Sequence, residues 1–237
     1  MIRIAAVGDV HFGADCVGCL APRLDSIDER ADVLLVAGDI TKHGALSEAE
    51  VFARELKGSP VPVVAVLGNH DYHCDEQLEI RKAIESAGAI VLEGESTVLE
   101  IGSETLGIAG VKGFGGGFLG ACGSEFGERE MKAFIGHTRK LSEALEEQLS
   151  SLATDYRVAL LHYSPVEDTL VGERLEIYPF LGSYLLAEAI DEAGADLAIH
   201  GHAHKGSEKG LTAKGINVRN VAQPMTGRPY SLYCLGS

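Results

Sequence analysis

Five short apolar runs, Ile2–Val7, Val33–Ala37, Val61–Leu67, Val158–Leu161 and Leu197–Ile199, each stop abruptly at glycine or a polar cluster. Runs of this length read as strands buried on both faces. Apolar residues at helix spacing fill Leu46–Leu56 and Glu76–Ala87, with Gly58 and Gly88 as stops. Strand alternating with helix predicts a mainly parallel sheet covered by helices.

The middle of the chain changes character. Thr97–Ile101 and Thr105–Val111, split by Gly102-Ser103, read as a hairpin, and Ile216–Val221 and Tyr230–Leu235 are further strand candidates. Together they predict a second, partly antiparallel sheet packed on the first. The longest helix runs from Glu128 to about Leu152, with Met131, Phe134, Ile135, Leu141, Leu145 and Leu149 near one face.

A length of 237 residues fits one domain spanning 1–237, with no internal repeat or linker. A chain of that size buries roughly 70% of its unfolded surface and needs no disulfide staple. Five cysteines, an odd number, fit a reducing compartment, and Cys16-Val17-Gly18-Cys19 has no second pair at zinc-ribbon spacing. No apolar stretch reaches the ~18 residues of a membrane span, and the N-terminal run is too short for a signal peptide. A cytoplasmic protein is the expectation. The net charge of −15 repels polyanions, so neither a membrane nor a nucleic-acid polymer is an expected partner. Gly113–Gly120 lacks the Lys-Ser/Thr of a phosphate-binding loop and the spacing of a dinucleotide fingerprint.

Polar residues gather where the strands end. The first strand closes on Gly8-Asp9-Val10-His11, the second on Gly38-Asp39 and the third on Gly68-Asn69-His70-Asp71. Val158–Leu161 closes on His162, and Leu197–Ile199 on His200-Gly201-His202-Ala203-His204. In a parallel sheet these ends share one rim, where ligands bind in open α/β folds. Glycine beside a ligand clears space for close approach. Asp9 and His11, like His202 and His204, would point the same way if the chain stays extended. Imidazole with carboxylate or amide oxygen suits Mn, Fe, Zn, Co or Ni. Seven donors exceed one tetrahedral ion, whereas two divalent ions sharing a carboxylate would use them all. Each motif alone is weak; their succession at strand ends is not.

These five blocks, in order from Gly8 to His204, resemble the calcineurin-like metallophosphoesterase superfamily. The resemblance implies an α/β, four-layer αββα sandwich, with two mixed β-sheets face to face and helices outside. It also implies that Asp9, His11 and His204 hold one ion, Asn69, His162 and His202 hold the other, and Asp39 bridges both along with a hydroxide. His70 would contact a phosphate oxygen and help the leaving group depart, with Asp71 as its orienting partner.

Hydrolysis of phosphate esters follows, and a phosphodiesterase acting on small phosphorylated substrates is preferred, because the short chain offers no large extra domain for gripping a protein. The alternatives are a phosphatase acting on nucleotides or phosphoproteins and, from another class, a non-catalytic scaffold on the same fold. His43 and His73 are candidates for the substrate mouth, although solvated or helix-start roles suit them too. His200 suits a buried supporting role, and His137 an exposed helix position. Gly113–Gly120 and the segment from Glu173 to Phe180 are expected to wall the site, their aromatics facing either a substrate ring or, equally, a neighbouring copy in a homo-oligomer. Lys112, Arg174 and Arg228 are candidate phosphate partners.

Overall fold

Residues that alternate along the apolar runs bury opposite ways, so each strand has two cores to satisfy. In the computed structural model, which describes residues 1–24 and 26–236 and leaves the Arg23 side chain aside, Ile2, Ile4 and Ala6 enter one core while Ala5 and Val7 enter another. The strands in chain order are β1 (Ile2–Val7), β2 (Val33–Ala37), β3 (Val63–Val66), β4 (Ile90–Val91), β5 (Glu95–Ile101), β6 (Glu104–Val111), β7 (Gly117–Phe118), β8 (Ala121–Cys122), β9 (Tyr156–Leu161), β10 (Leu197–His200), β11 (Lys209–Leu211), β12 (Asn217–Asn220) and β13 (Ser231–Leu235). The helices are α1 (Ala21–Leu24), α2 (Leu46–Leu56), α3 (Gln77–Ser86), α4 (Arg129–Ser151), α5 (Tyr178–Leu181), α6 (Tyr184–Ala193) and α7 (Gln223–Thr226).

One sheet has the order β13-β1-β2-β3-β4 and the other β11-β12-β10-β9-β6-β5. Both are mixed: β1 to β4 run parallel with β13 antiparallel at the edge, and β6, β9, β10 and β12 run parallel between antiparallel β5 and β11. Leu35, Val64 and Val66 of the first sheet meet Leu106, Ile108, Val158, Leu160 and Ile199 of the second. Phe52, Leu56, Ile80 and Ile84 of α2 and α3 cover the first sheet outside, and Leu145, Leu149, Leu186 and Ile190 of α4 and α6 cover the second. The result is the expected α/β, αββα sandwich. Each fully buried side chain of this kind contributes about 1.5–3 kcal/mol.

Several expectations need correction. The third strand begins at Val63 rather than Val61, because Pro62 has no N–H for the ladder, although its carbonyl still accepts from Leu34 at 2.9 Å. The C-terminal strand joins the first sheet, not the second, where it pairs with β1 and sends Leu235 into the core between the sheets. On α4 the buried stripe runs Ile135, Thr138, Ser142, Leu145, Leu149; Met131 is exposed and Leu141 only half-buried. Thr138 and Ser142 fit there because their hydroxyls bond to the Gly115 and Thr138 carbonyls. No helix among the described residues is long and apolar enough to cross a membrane.

Candidate metal centre

The five polar clusters meet at one rim, but they come from both sheets: β1, β2 and β3 deliver Asp9, His11, Asp39 and Asn69, while β9 and β10 deliver His162, His202 and His204. The backbone does not stay extended to do this. Asp9, His11, Asp39 and His202 have φ of 58°, 44°, 49° and 69°, in the left-handed region. Asp and His enter that region several times more readily than most residues, yet it is strained and needs surrounding bonds to hold it. Asp9 N donates to the Gly38 carbonyl at 2.9 Å and His11 N to the Asp39 carbonyl at 3.0 Å, which stitches the first two strand ends together. Convergence therefore comes from these turns rather than from strand alternation.

Glycine makes the close approach workable. Gly38 has φ 79°, and a Cβ there would lie 2.6 Å from His162 Nδ1. At Gly68 a Cβ would collide with the Asp39 carboxylate and backbone nitrogen. Any side chain at either point displaces a candidate ligand.

Two groups of donors result. Asp9, His11, Asp39 and His204 form one, and Asp39, His162 and His202 the other, with donor atoms in each within 4.8 Å of one another. Asn69 Oδ1 lies 3.0 Å from His162 Nε2 and so belongs with the second. Asp39 belongs to both through separate oxygens: Oδ1 is 3.3 Å from His162 Nε2, and Oδ2 is 3.8 Å from His11 Nε2. His11 Nε2 and His204 Nε2 face each other at 3.5 Å, and His204 Nε2 is 2.9 Å from Asp9 Oδ1.

Outer partners fix the ring nitrogens. His162 Nδ1 donates to the Ala37 carbonyl at 2.9 Å, which leaves the Nε2 lone pair facing the centre. His202 Nε2 faces the Phe180 carbonyl at 3.3 Å, which leaves Nδ1 as its acceptor atom. Burial holds both imidazoles well below their ordinary pKa, so they are neutral. Burial likewise lowers His11, whereas the hydrogen bond to Asp9 raises His204. Burial pushes Asp9 up to about 6, with the hydrogen bond from His204 opposing and the Asp39 charge adding to the rise. Two nearly inaccessible carboxylates beside neutral imidazole lone pairs are short of positive charge. A pair of divalent cations fits that donor set.

His70 sits against the same rim. Its backbone N donates to Asp39 Oδ1 at 2.8 Å, its Nδ1 to the Lys42 carbonyl at 2.7 Å, and its Nε2 faces Asp39 Oδ2 at 3.9 Å. The Lys42 carbonyl orients this ring, and Asp71 does not. Buried Asp71 instead accepts from Ile40 N, Thr41 N, Thr41 Oγ1 and Gly68 N at 2.6–3.2 Å, tying the second and third strand ends together. Its role corrects to shaping the centre, because all its acceptor positions are already taken. Burial pushes its carboxyl up to about 6, against those bonds.

His73 stacks on His70 with ring centroids 4.4 Å apart, at the mouth. His43 is held elsewhere: Nδ1 lies 2.7 Å from Glu48 Oε1 of α2, and its side chain is exposed. His200 is buried and bonded to Thr169 Oγ1 at 2.8 Å, and burial lowers it to about 4. His137 is exposed, with its ring against Phe114. Gly113–Gly120 leads into and includes β7 and the turn to β8, and its Gly116 N and Gly117 N donate to the Pro179 and Gly182 carbonyls at 2.7 and 2.9 Å. The two expected walls are thus zipped together. Tyr163, missed in the sequence, stacks on His202 at 4.4 Å between ring centroids; its place directly after His162 was the available signal.

The sequence profile of the calcineurin-like phosphoesterase family matches residues 2–206, so the chain belongs to that family of phosphate-ester hydrolases. Among solved structures, the phosphopantetheinyl hydrolase from Mycobacterium tuberculosis is similar with TM-score 0.69 and 14% identity, covering 93% of this chain and 88% of that one. The protein TT1561 of Thermus thermophilus is similar with TM-score 0.63 and 19% identity, covering 98% and 93%. Such identities speak for the fold alone. No curated protein sequence matches the chain.

Proposed function

We propose that the protein is a phosphodiesterase for small substrates, with Asp9, His11 and His204 holding one divalent ion, Asn69, His162 and His202 a second, and Asp39 both. The observation that carries this reading is Asp39, whose two oxygens face two separate donor groups. Bound there, two ions such as Mn, Fe, Zn, Co or Ni would supply Lewis acidity, making water more acidic and offsetting charge on phosphate oxygens.

The chain's own groups do the rest. Asp9 and Asp39 bring negative charge to the cation sites, and their near-complete burial keeps competing water away. As water adds to phosphorus and the ester P–O bond breaks, the leaving oxygen needs a proton. His70 in its protonated form can give one from Nε2, because Nδ1 is committed to Lys42. The mouth has two flanks: His70 and His73 on the His11 side, Tyr163 and Phe114 on the His202 side. Ring-bearing flanks on both sides of the donors, one for each ester group, support a diester over a monoester. The test is hydrolysis of bis-nitrophenyl phosphate by manganese-loaded protein, with and without chelator. Activity lost to chelator and restored by manganese is expected, and His70→Ala should keep its metal yet slow turnover roughly 10²–10⁴-fold on a poor leaving group. A protein inert with manganese present would contradict the reading.

A further inference from the structure

The carboxyl end of β6 carries a cation that the centre described above does not use. Lys112 is 8% exposed. Its ammonium lies 4.8 Å from the Tyr72 ring, 4.9 Å from Phe114 and 5.4 Å from Tyr163, and has no hydrogen bond or ion pair among the described residues. Glu93 favours the charge from nearby but forms no ion pair with the ammonium; its carboxylate accepts from Tyr72 Oη and Leu67 N. Ring faces soften the cost of placing an ammonium there and offer it no acceptor, while the nitrogen itself is not sealed from outside, so a ligand can reach it. Burial accordingly lowers its basicity, with the Glu93 and Asp39 charges opposing.

Its position ties this cation to the centre. The Lys112 carbonyl accepts from His162 N and Tyr163 N at 3.1 and 3.0 Å, so the residue is locked to the strand end that supplies a candidate ligand. The same Tyr163 ring that meets Lys112 stacks on His202. The Tyr163 hydroxyl likewise has no hydrogen bond among the described residues, although the residue is 6% exposed. Two uncommitted donors, one charged, thus stand beside the cation sites. Lys112 makes no ion pair with Asp39 and meets the centre through the Tyr163 ring, which puts the cation on the flank of the seven donors rather than among them. Arg174 and Arg228, the other candidates from the sequence, are exposed.

We propose that Lys112, assisted by the Tyr163 hydroxyl, binds a second phosphoryl group of the substrate, so that the preferred substrates are phosphodiesters carrying a further phosphate, as in a pyrophosphate linkage. An ammonium suits a phosphoryl oxygen as a compact point charge, and the anion supplies the partner that the ammonium lacks. The inference rests on the phosphodiesterase reading.

The test compares kcat/KM for diadenosine pyrophosphate with that for bis-nitrophenyl phosphate, in manganese-loaded wild type, Lys112→Met, Lys112→Arg and Tyr163→Phe. Water adds to one phosphorus of the pyrophosphate, the bridging P–O bond breaks, and two adenosine monophosphates result. The pyrophosphate-to-diester ratio should fall roughly 10- to 100-fold in Lys112→Met, less in Tyr163→Phe, and recover in part in Lys112→Arg. Methionine fits among aromatic rings, and calorimetric binding of the non-hydrolysable methylene analogue should weaken by a similar factor. An unmoved ratio, whether both substrates slow equally or neither does, overturns the inference alone. A wild type inert toward both substrates overturns the phosphodiesterase reading and this inference with it.

Discussion

Asp39 shows how much one residue is asked to do. Its left-handed backbone lets His11 N reach its carbonyl, its Oδ1 accepts from His70 N, and its two oxygens face both donor groups. Replacing Asp39 with Asn removes a charge from both sites at once while keeping the shape. Metal analysis of Asp39→Asn should therefore show both ions weakened together; loss of one alone would argue against sharing. The Gly-Asp, Asn-His-Asp and His-x-His blocks made the seven donors legible because each closes an apolar run. What the blocks could not show was backbone geometry. The i, i+2 spacing of Asp9 and His11 pointed to extended chain, whereas both occupy the left-handed region. The resemblance implied Asp71 as the orienting partner of His70; although next to it in the chain, Asp71 turns instead to Thr41, Ile40 and Gly68.

At the scale of elements, strands that bury both faces were legible because they are continuously apolar, and the β5–β6 hairpin because Gly102-Ser103 interrupts it. Sheet membership was not legible. Strand β13 carries Ser231, Leu232, Tyr233, Cys234 and Leu235, a pattern that suits an edge of either sheet, and only its antiparallel pairing with β1 settles it. Short elements such as β4, β7 and β8 exist through their neighbours rather than through any periodicity of their own. The core between the sheets carries the strongest energetic expectation. Leu35→Ala, at a position with 0% exposure facing the second sheet, should lower stability by about 2–5 kcal/mol in urea unfolding; a loss well under about 1 kcal/mol would mean the sheets are not tightly packed there.

The whole molecule explains why the rim is a single candidate site although its donor residues come from distant parts of the chain. Facing the two sheets places the carboxyl ends of β1, β2 and β3 opposite those of β9 and β10, so the centre forms only when both sheets are folded against each other. Candidate ligands drawn from both layers would also link ion binding to global stability, because the unfolded chain cannot reproduce the cage. The net charge of −15 sets this pocket apart from its surroundings: a surface that repels polyanions encloses a place where two cations would invert the local field. The most direct measurement is the metal content of the purified, manganese-reconstituted protein by elemental analysis, checked by titration calorimetry of the metal-free form. Two ions per chain, lost to chelator, is the expected result; a single ion per chain, or none retained, would contradict the convergence of seven donors on a metal pair.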